Sequence, residues 1–460
     1  MHALSVNNRS FIAKFSGLDE LECLDLVVWL FLILPSLVRG FYLNISSNLT
    51  FFAPWTVGEW LINYAGGFTR RGAPGFLIYQ ASLISSTPPW ILAVGISVAS
   101  WILLAILLFA VCHRIFRSVF IFSPFVLLSP LIGEYLVRKD CFNLALLGIS
   151  VMLAKHAKRS NDFSRKRIIA INVLGAAAIL SHESYIFYAF PALYFVLFDS
   201  NCIVSTRKWW LDLLGCFKLF TPMIIIAILC FYFHGDGKIA ESIQWSWLRL
   251  SGQFSSEYPS DPMGAIGAIG WSLPYGFSYT NKSIIFELVN GFVWRPIALL
   301  VSVFVLLMIL SSRFAIRRKY ALFSTIAQKI FVTILLSMLP IFVIGHDYGR
   351  WLFLAVVATM FASACVDLRH DFNSGHKAFK LLGCKNNFLI AASSVAPFFF
   401  GIPPYWNSWN LAWAAKSSWI GFLALPISEY VGVRFVIFYL INLFLAGGFA
   451  CYWRMLARRV

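Results

Sequence analysis

The sequence predicts an all-α, polytopic integral membrane protein with about twelve transmembrane helices and long extracytoplasmic loops. Of the 460 residues, 60% are hydrophobic and only 12% are charged, whereas an average soluble domain has about 25% charged residues. The mean hydropathy of the chain is +0.77. Apolar runs of about 17 to 25 residues, the length that crosses a bilayer, also recur along the chain. These observations exclude a water-soluble globular domain.

The apolar runs define the elements in chain order, and we interpret residues 1–460 as a single transmembrane domain. The polar N-terminus does not resemble a cleavable signal peptide, so the first run is expected to be a retained anchor. Segment 73–86 is too short to span a bilayer and is interpreted as re-entrant or interfacial. The predicted spans lie near residues 24–42, 89–112, 118–136, 141–156, 168–184, 185–199, 210–233, 293–312, 325–344, 350–366, 387–403 and 435–453.

Positive charge sets the predicted orientation, because cytoplasmic loops of membrane proteins collect Lys and Arg. With both termini in the cytoplasm, most of the 37 Lys and Arg residues lie on that side. The net charge of +17 then has a topological cause, and we predict no nucleic-acid partner. The long extracytoplasmic loops are 43–88, 234–292 and 404–434. In the first of them, Asn44 and Asn48 begin N-x-S/T sequons, which matter only if the host glycosylates.

The first long loop contains the segment 55–75, which is the strongest candidate for a functional site. It carries Glu59 and the adjacent arginines Arg70 and Arg71 among several glycines. Glycine lets the backbone turn tightly and approach a ligand closely. Arginine offers a planar fork of donors that fits phosphate and remains charged in any surroundings. We therefore expect a phosphorylated lipid to bind here.

Further charged residues fall at the predicted outer ends of helices. An ionisable group at membrane depth costs about 2.5 to 3.5 kcal/mol on insertion scales, so such residues are functional candidates. Two structural alternatives stay open: Glu134 and Arg138 have the spacing of a helical ion pair, and Glu429 and Arg434 are interpreted as a pair at the rim. We expect one convergent cavity formed by the residues of this set, which are Arg138, Lys139, Asp140, His182, Glu183, His346, Asp347 and Arg350, together with Glu59, Arg70 and Arg71.

Neither a disulfide framework nor a cofactor is predicted. The nine cysteines are scattered without CxxC or CxxH spacing. His182 and His346 with Glu183, Asp140 and Asp347 could complete a metal site, but the sequence contains no DxD motif. A divalent metal is therefore the less favoured alternative, since a metal site needs three or four ligands in a defined geometry.

Carboxylates beside basic groups at the outer membrane face suit glycosyl transfer from a polyprenyl-phosphate sugar. A carboxylate takes the proton of the attacking hydroxyl, and Arg and Lys stabilise the charge on the departing phosphate. The catalytic candidates are Glu59, Asp140 and Asp347, with Glu59 or Asp140 as the base. Phosphate or sugar would be bound by the other residues of the set, namely Arg70, Arg71, Arg138, Lys139, His182, Glu183, His346 and Arg350.

The second long loop, 234–292, is rich in aromatic residues, among them Trp245, Trp247, Trp271, Tyr258 and Tyr275. Trp and Tyr favour the bilayer interface, so we interpret the loop as an aromatic cover that lies on the membrane. Stacking of sugar rings on these side chains is the alternative.

Four stretches carry a resemblance to a known group of proteins. The runs NYAGGFTRRGAPG, SPLIGEYLVRKD, SHES followed by Pro191, and GHDYGRW are similar to those of bacterial GT-C glycosyltransferases and Wzy-type surface-polysaccharide polymerases. The resemblance implies a catalytic base in the first outer loop, at Glu59, and a polyprenyl-linked donor at Arg70 and Arg71. It also implies location in a bacterial inner membrane. The first loop lacks the acidic pair, DxD or ExD, of many GT-C enzymes.

A transporter or flippase of lipid-linked sugars is the alternative function. Roughly a dozen helices around basic groups also suit transport, and transporters are often built from repeated halves with sites near the bilayer midplane. The two halves of this sequence do not match, and its polar groups fall at one face. The sequence therefore favours the enzyme, which would be a single-sugar transferase or a repeat-unit polymerase.

Overall fold

A computed structural model describes residues 28–49, 55–113, 116, 118–132, 135–160, 164–198, 209–251, 261–289, 321–345 and 347–366. These ranges are helical and contain no strand, which confirms the predicted all-α class for them. A π-helical turn, Trp29–Ile33, comes first. The α-helices that follow are α1 Leu34–Leu49, α2 Val57–Trp60, α3 Gly72–Ser85, α4 Pro89–Cys112, α5 Ser118–Ile121, α6 Ser129–Ile132, α7 Asp140–Arg159, α8 Arg165–Ser181, α9 Tyr185–Leu197, α10 Trp209–Leu219, α11 Thr221–Tyr232, α12 Gly237–Ser251, α13 Gly264–Gly267, α14 Leu273–Val289, α15 Ala321–Ser337, α16 Leu339–Ile344 and α17 Tyr348–Cys365.

Several helix boundaries follow from local sequence. Proline occupies the first turn of α4, α11 and α16, where its fixed φ suits a helix start and its missing N–H costs no hydrogen bond. Helix α7 has an acidic residue in its first turn and three basic or titratable residues in its last turn. Both features match the helix dipole.

Helix α17 lies at the centre of the fold. Every residue from Gly349 to Cys365 is buried, and α4, α7, α9 and α15 pack around it. The approach of α7 is close at Gly148, where an added Cβ would lie 2.8 Å from a ring carbon of Phe361. Small residues at such positions let two helix backbones approach each other. The centre of the bundle is thus formed by packing of these five helices.

Two helices are long and apolar enough to cross a membrane: α4, with 24 residues, and α17, with 18. Helices α10 and α11, which meet at 76°, form a third candidate if they are one bent span. These helices coincide with predicted spans and support association with a membrane. The count of about twelve spans goes beyond them and stays a prediction from sequence. The predicted spans 293–312, 387–403 and 435–453 lie outside the described residues.

The predicted span 118–136 is not a single helix. The four-residue helices α5 and α6 lie in this region, joined by buried turns. Pro124 and Pro130 explain the break, because proline cannot donate a backbone hydrogen bond and clashes with the preceding turn of a helix. The Ser123 hydroxyl accepts a hydrogen bond from the Phe125 amide at 3.3 Å, which further favours a turn.

The first outer loop was predicted to begin at residue 43, but α1 continues to Leu49. Asn44 and Asn48 consequently lie inside a helix and are buried. The Asn44 amide nitrogen donates to the carbonyl of Leu131 at 2.8 Å, and its oxygen accepts from the amide of Leu136 at 3.1 Å. A glycan at this buried, hydrogen-bonded position would break the packing of α1, so the sequon interpretation of Asn44 is not supported.

Segments 234–251 and 261–289 pack against segment 55–75. Trp247 of α12 is buried, and its indole nitrogen donates to the carbonyl of Leu61 at 2.7 Å. Asn63 donates to the hydroxyl of Ser246 at 2.9 Å. Helix α3, with 14 residues, agrees with the prediction that 73–86 does not span the membrane. The predicted loop 404–434 and Tyr258 lie outside the described residues.

Candidate functional site

Four separate parts of the chain bring ten predicted site residues together, and we call this group the charged cluster. The contributing parts are α2 with the loop before α3, the residues at the start of α7, the turn between α8 and α9, and the start of α17. His346, Glu134, Glu429 and Arg434 lie outside the described residues. The members of the charged cluster are Glu59, Arg70, Arg71, Arg138, Lys139, Asp140, His182, Glu183, Asp347 and Arg350.

Arg350 forms the centre of the charged cluster. Its Nε and Nη2 donate to the two carboxylate oxygens of Asp140, and the Nη2 contact measures 2.9 Å. Nη2 also lies 3.2 Å from Glu59 Oε1, and Nη1 lies 3.3 Å from Asp347 Oδ2. Arg350, Asp140 and Glu59 are each at most 5% exposed. One buried guanidinium therefore compensates carboxylates from three different elements.

Glu59 is held in its ionised form. Burial alone raises the pKa of a carboxyl group, but the charge of Arg350 and a hydrogen bond from His182 lower the pKa of Glu59 well below its usual value. The amide of Lys139 also donates to Glu59 Oε2 at 3.4 Å. Glu59 is thus a buried carboxylate with partners on several sides.

Glu183 anchors the two arginines of the first loop. Arg71 forms a bidentate pair with it, with Nε 2.8 Å from Oε2 and Nη2 2.6 Å from Oε1. Arg70 Nη1 donates to Oε1 at 3.2 Å. The buried Glu183 carboxylate is thus compensated by two guanidinium groups. This ion pair joins the loop before α3 to the turn between α8 and α9.

Arg71 has a left-handed backbone with a φ of 65°, which is uncommon for a residue with a side chain. The Lys139 ammonium donates to the Arg71 carbonyl at 2.9 Å and to the Ser181 carbonyl at 3.2 Å. Lys139 is fully buried, and its Nζ lies 5.8 Å from the centre of the Trp60 ring. Burial lowers its pKa to about 7. Lys139 therefore connects three chain segments and fixes the Arg71 backbone.

His182 lies between two carboxylates. Its Nε2 is 3.4 Å from Glu59 Oε1, and its Nδ1 is 3.8 Å from Glu183 Oε2. The Ser184 amide donates to Nδ1 at 3.2 Å, so a neutral His182 carries its proton on Nε2, facing Glu59.

The charged cluster reaches the surface at two places. Arg70 and Arg71 have side chains that are 22% and 20% exposed. At the other edge, Asp347 Oδ2 accepts from Arg138 Nη1 at 2.8 Å, and the Asp347 side chain is 20% exposed. Between these edges the predicted residues are nearly inaccessible. A ligand that approaches the cluster would meet two arginines at one edge and a carboxylate at the other.

The opposite end of the bundle is basic. Lys155 and Lys158, near the C-terminus of α7, donate to the carbonyls of Ala364 and Val196 at 2.9 Å each. Arg159 follows at the end of the helix. Helix α7 has 20 residues, so about 30 Å of helix separates Asp140 from this basic end.

Sequence reasoning missed residues that contribute neutral groups to the site. The Ala268 carbonyl accepts from Arg70 Nη2 at 3.4 Å, and the Ser184 hydroxyl lies 2.8 Å from His182 Nδ1. Trp60 lies beside the Lys139 ammonium and donates to the Val137 carbonyl at 2.5 Å. Ser184 and Trp60 are direct neighbours of Glu183 and Glu59 in the sequence, and this adjacency is a signal that could have identified them. No sequence feature identifies the Ala268 carbonyl, which lies 198 positions from Arg70.

Within the described ranges, no three His, Cys, Asp or Glu side chains are grouped so that they could hold a metal ion. The expectation that the protein needs no cofactor stays a prediction. Comparison of the chain with models of protein families, with curated proteins and with solved structures finds no match.

Proposed function

We propose that the protein transfers a sugar, or an oligosaccharide, from a polyprenyl-phosphate carrier to an acceptor hydroxyl at the end of the bundle that holds the charged cluster. The observation that supports this proposal most is the convergence of carboxylates and arginines from four chain segments at one place. Helix α17, which is long and apolar enough to span a membrane, begins directly after Asp347 and carries Arg350 in its first turn. A lipid in that membrane would bring its phosphate to the level of these groups. The product would belong to a cell-surface polysaccharide or glycolipid.

Arg70 and Arg71 are the proposed binding groups for the donor phosphate. They are the most exposed cations of the charged cluster. Glu183 orients both guanidinium groups, and Lys139 holds the backbone between them and α3. Groups that are fixed before the reaction stabilise the charge of a departing phosphate without the cost of reorganisation.

Asp347 is the proposed base. Its side chain is 20% exposed, whereas the side chains of Glu59 and Asp140 are each 3% exposed. Glu59 and Asp140 both contact Arg350 and are proposed to position it. A base must come within hydrogen-bond reach of the proton that it removes, and the edge of the cluster is where an acceptor can enter.

In the proposed reaction, the acceptor oxygen forms a bond to the anomeric carbon of the donor sugar. The bond from that carbon to the phosphate oxygen breaks, and its electron pair stays on the phosphate. The acceptor proton passes to the Asp347 carboxylate. Arg70 and Arg71 compensate the negative charge that forms on the leaving phosphate.

The test uses the full chain in liposomes that contain polyprenyl-phosphate sugars and a lipid-linked acceptor. The wild type is expected to form a new glycosidic product, and Glu59→Gln and Arg71→Ala are each expected to lower the rate at least 100-fold. The matched controls are Glu241→Gln and Arg249→Ala, which change exposed residues of α12. These controls are expected to keep the wild-type rate. Thermal unfolding of all four variants shows whether the protein remains folded.

Two results would overturn the proposal. If both cluster variants stay folded and form product at the wild-type rate, the charged cluster is not the active site. If the wild type moves unchanged lipid-linked sugar across the bilayer and forms no glycosidic bond, the protein is a flippase.

A further inference from the structure

Four aromatic side chains form a partly exposed surface near the charged cluster, and we call it the aromatic surface. Trp271 is at its centre, with ring centroids 6.1 Å from Trp55, 5.2 Å from Tyr275 and 5.0 Å from Tyr279. Trp55, Tyr275 and Tyr279 are 40%, 53% and 36% exposed. The rings are tilted by 47° to 69° against each other. They therefore present faces and edges to a ligand rather than one flat stack.

Two contacts fix the aromatic surface beside the charged cluster. Trp271 follows the short 3₁₀ helix Ala268–Gly270, whose first carbonyl accepts the hydrogen bond from Arg70. On the other side, the Thr280 hydroxyl donates to the carbonyl of Ile344 at 2.6 Å, three residues before Asp347. The segment from Ala268 to Thr280 is thus attached to both exposed edges of the cluster.

Tyr279 lies within electrostatic reach of Asp347. Burial, the neighbouring Tyr275 and the negative charge of Asp347 all raise the pKa of Tyr279. The carboxylate that is the proposed base therefore lies near Tyr279 of the aromatic surface. A molecule seated on the rings would have its polar groups close to that carboxylate.

The chemistry of these rings differs from that of a second aromatic group at the Arg70 edge. That group, formed by Tyr64, Phe68, Phe76 and Phe233, is mostly phenylalanine and suits apolar chains. Every ring of the aromatic surface instead carries an N–H or O–H. Trp and Tyr combine an apolar face with a polar group, which matches a pyranose ring with its C–H face and peripheral hydroxyls.

We infer that Trp55, Trp271, Tyr275 and Tyr279 form a carbohydrate-binding surface that seats a pyranose ring of the acceptor beside Asp347. Its role as the acceptor site rests on the proposed function, whereas binding of a sugar by these rings does not. Trp and Tyr often serve only to place a protein at the membrane interface. If that were their role here, removal of Trp271 and removal of Trp245 would have the same effect on sugar binding.

The experiment measures binding of methyl glycosides of glucose, galactose, mannose and N-acetylglucosamine to the full chain in phosphatidylcholine nanodiscs, by saturation-transfer difference NMR. Nanodiscs avoid sugar-based detergents, which would compete. At least one glycoside is expected to give a signal from its ring C–H protons. Trp271→Ala is expected to lower that signal at least fivefold, and Trp271→Tyr, which keeps an aromatic face and a polar group, is expected to restore most of it. The matched control is Trp245→Ala, which removes a tryptophan of α12 that is 58% exposed, and it is expected to leave the signal unchanged.

Thermal unfolding of each variant shows whether it is folded. If Trp271→Ala does not fold, Tyr275→Ala, which removes the most exposed ring, takes its place. The inference is overturned if no glycoside binds the wild type, or if Trp245→Ala lowers the signal as much as Trp271→Ala. If transfer activity is absent while the Trp271 effect is present, the proposed function fails and the binding surface stands.

Discussion

At the scale of single residues, Arg350 explains why so many acidic groups occur together in an apolar chain. Its guanidinium contacts Asp140, Glu59 and Asp347 at once. Removal of one partner from a buried ion pair costs about 3 to 5 kcal/mol, because it leaves a charge without compensation. The buried carboxylates and Arg350 are therefore mutually required, and the accessible edge residues are the ones left to meet a ligand.

Asp347 and Asp140 should respond differently to the same substitution. We expect Asp347→Asn to abolish transfer but to destabilise the protein less than Asp140→Asn does, since the Asp347 side chain is 20% exposed and makes single rather than bidentate contacts with Arg138 and Arg350. Asp140→Asn should destabilise the protein by about 3 to 5 kcal/mol, because it removes the bidentate partner of Arg350. Transfer assays and thermal unfolding of both variants check this. Equal losses of stability would contradict the assignment of roles.

Lys139 should make stability depend on pH. Its folded pKa is about 7, whereas an unfolded lysine has a pKa of about 10.4. Between these values the unfolded state binds more protons, so the free energy of unfolding rises with pH. We expect the wild type to gain stability relative to Lys139→Met as the pH rises from about 7 to about 10. The control is Lys238→Met, on the exposed face of α12, whose stability should depend on pH as that of the wild type does. Thermal unfolding over this pH range is the measurement.

At the scale of elements, the segment between α2 and α3 is held to its neighbours by backbone contacts. Trp60 donates to the Val137 carbonyl, and Trp247 donates to the Leu61 carbonyl. Gly75 in the first turn of α3 lies directly against this segment, where an added Cβ would overlap the Ile62 carbonyl and lie 2.7 Å from the Trp60 carbonyl. The position of Arg70 and Arg71 thus depends on a close approach that only glycine permits.

Gly75→Ala should therefore displace the segment that carries the arginines. We expect it to destabilise the protein by about 1 to 3 kcal/mol, as overpacking does, and to lower transfer. Gly95→Ala is the matched control, because Gly95 lies in α4 with no atom within 4 Å of an added Cβ. It should stabilise the helix by about 0.5 to 1 kcal/mol. Thermal unfolding compares the two, and a neutral Gly75→Ala would show that the approach is not tight.

The elements also show what could be read from the sequence. Apolar length alone predicts the location of α4 and α17, since a helix that crosses a membrane needs a minimum number of residues. Apolar content alone predicts a continuous span at 118–136, because it does not take into account that Pro124 and Pro130 interrupt a helix. The charged residues were expected to meet because they shared one predicted face, but their pairing was not foreseen. Arg138 has the helical spacing for a pair with Glu134, which lies outside the described residues. The structure shows a pair of Arg138 with Asp347, 209 positions away, which no sequence spacing indicates.

At the scale of the whole molecule, the helical bundle has two chemically different ends. One end holds the charged cluster and the aromatic surface, where acidic and basic groups are nearly balanced. The other end holds Lys155, Lys158 and Arg159, which lie near the C-termini of α9 and α17. Cytoplasmic segments of membrane proteins are enriched in Lys and Arg. This asymmetry supports an orientation with the charged cluster on the extracytoplasmic side.

That orientation can be tested with one cysteine at each end. Ser86 is exposed just before α4, whose residues Ala93 and Val94 pack with Trp60 of α2. Ser160, after α7, is exposed at the basic end. In sealed cells that express Ser86→Cys, a membrane-impermeant maleimide should label the protein. Ser160→Cys should be labelled only after permeabilisation. The wild type reports the background of its nine cysteines. Labelling of Ser160→Cys alone in sealed cells would show that the orientation is the opposite one. The charged cluster would then face the cytoplasm, whereas the proposed donor is a sugar on a polyprenyl phosphate at the extracytoplasmic side.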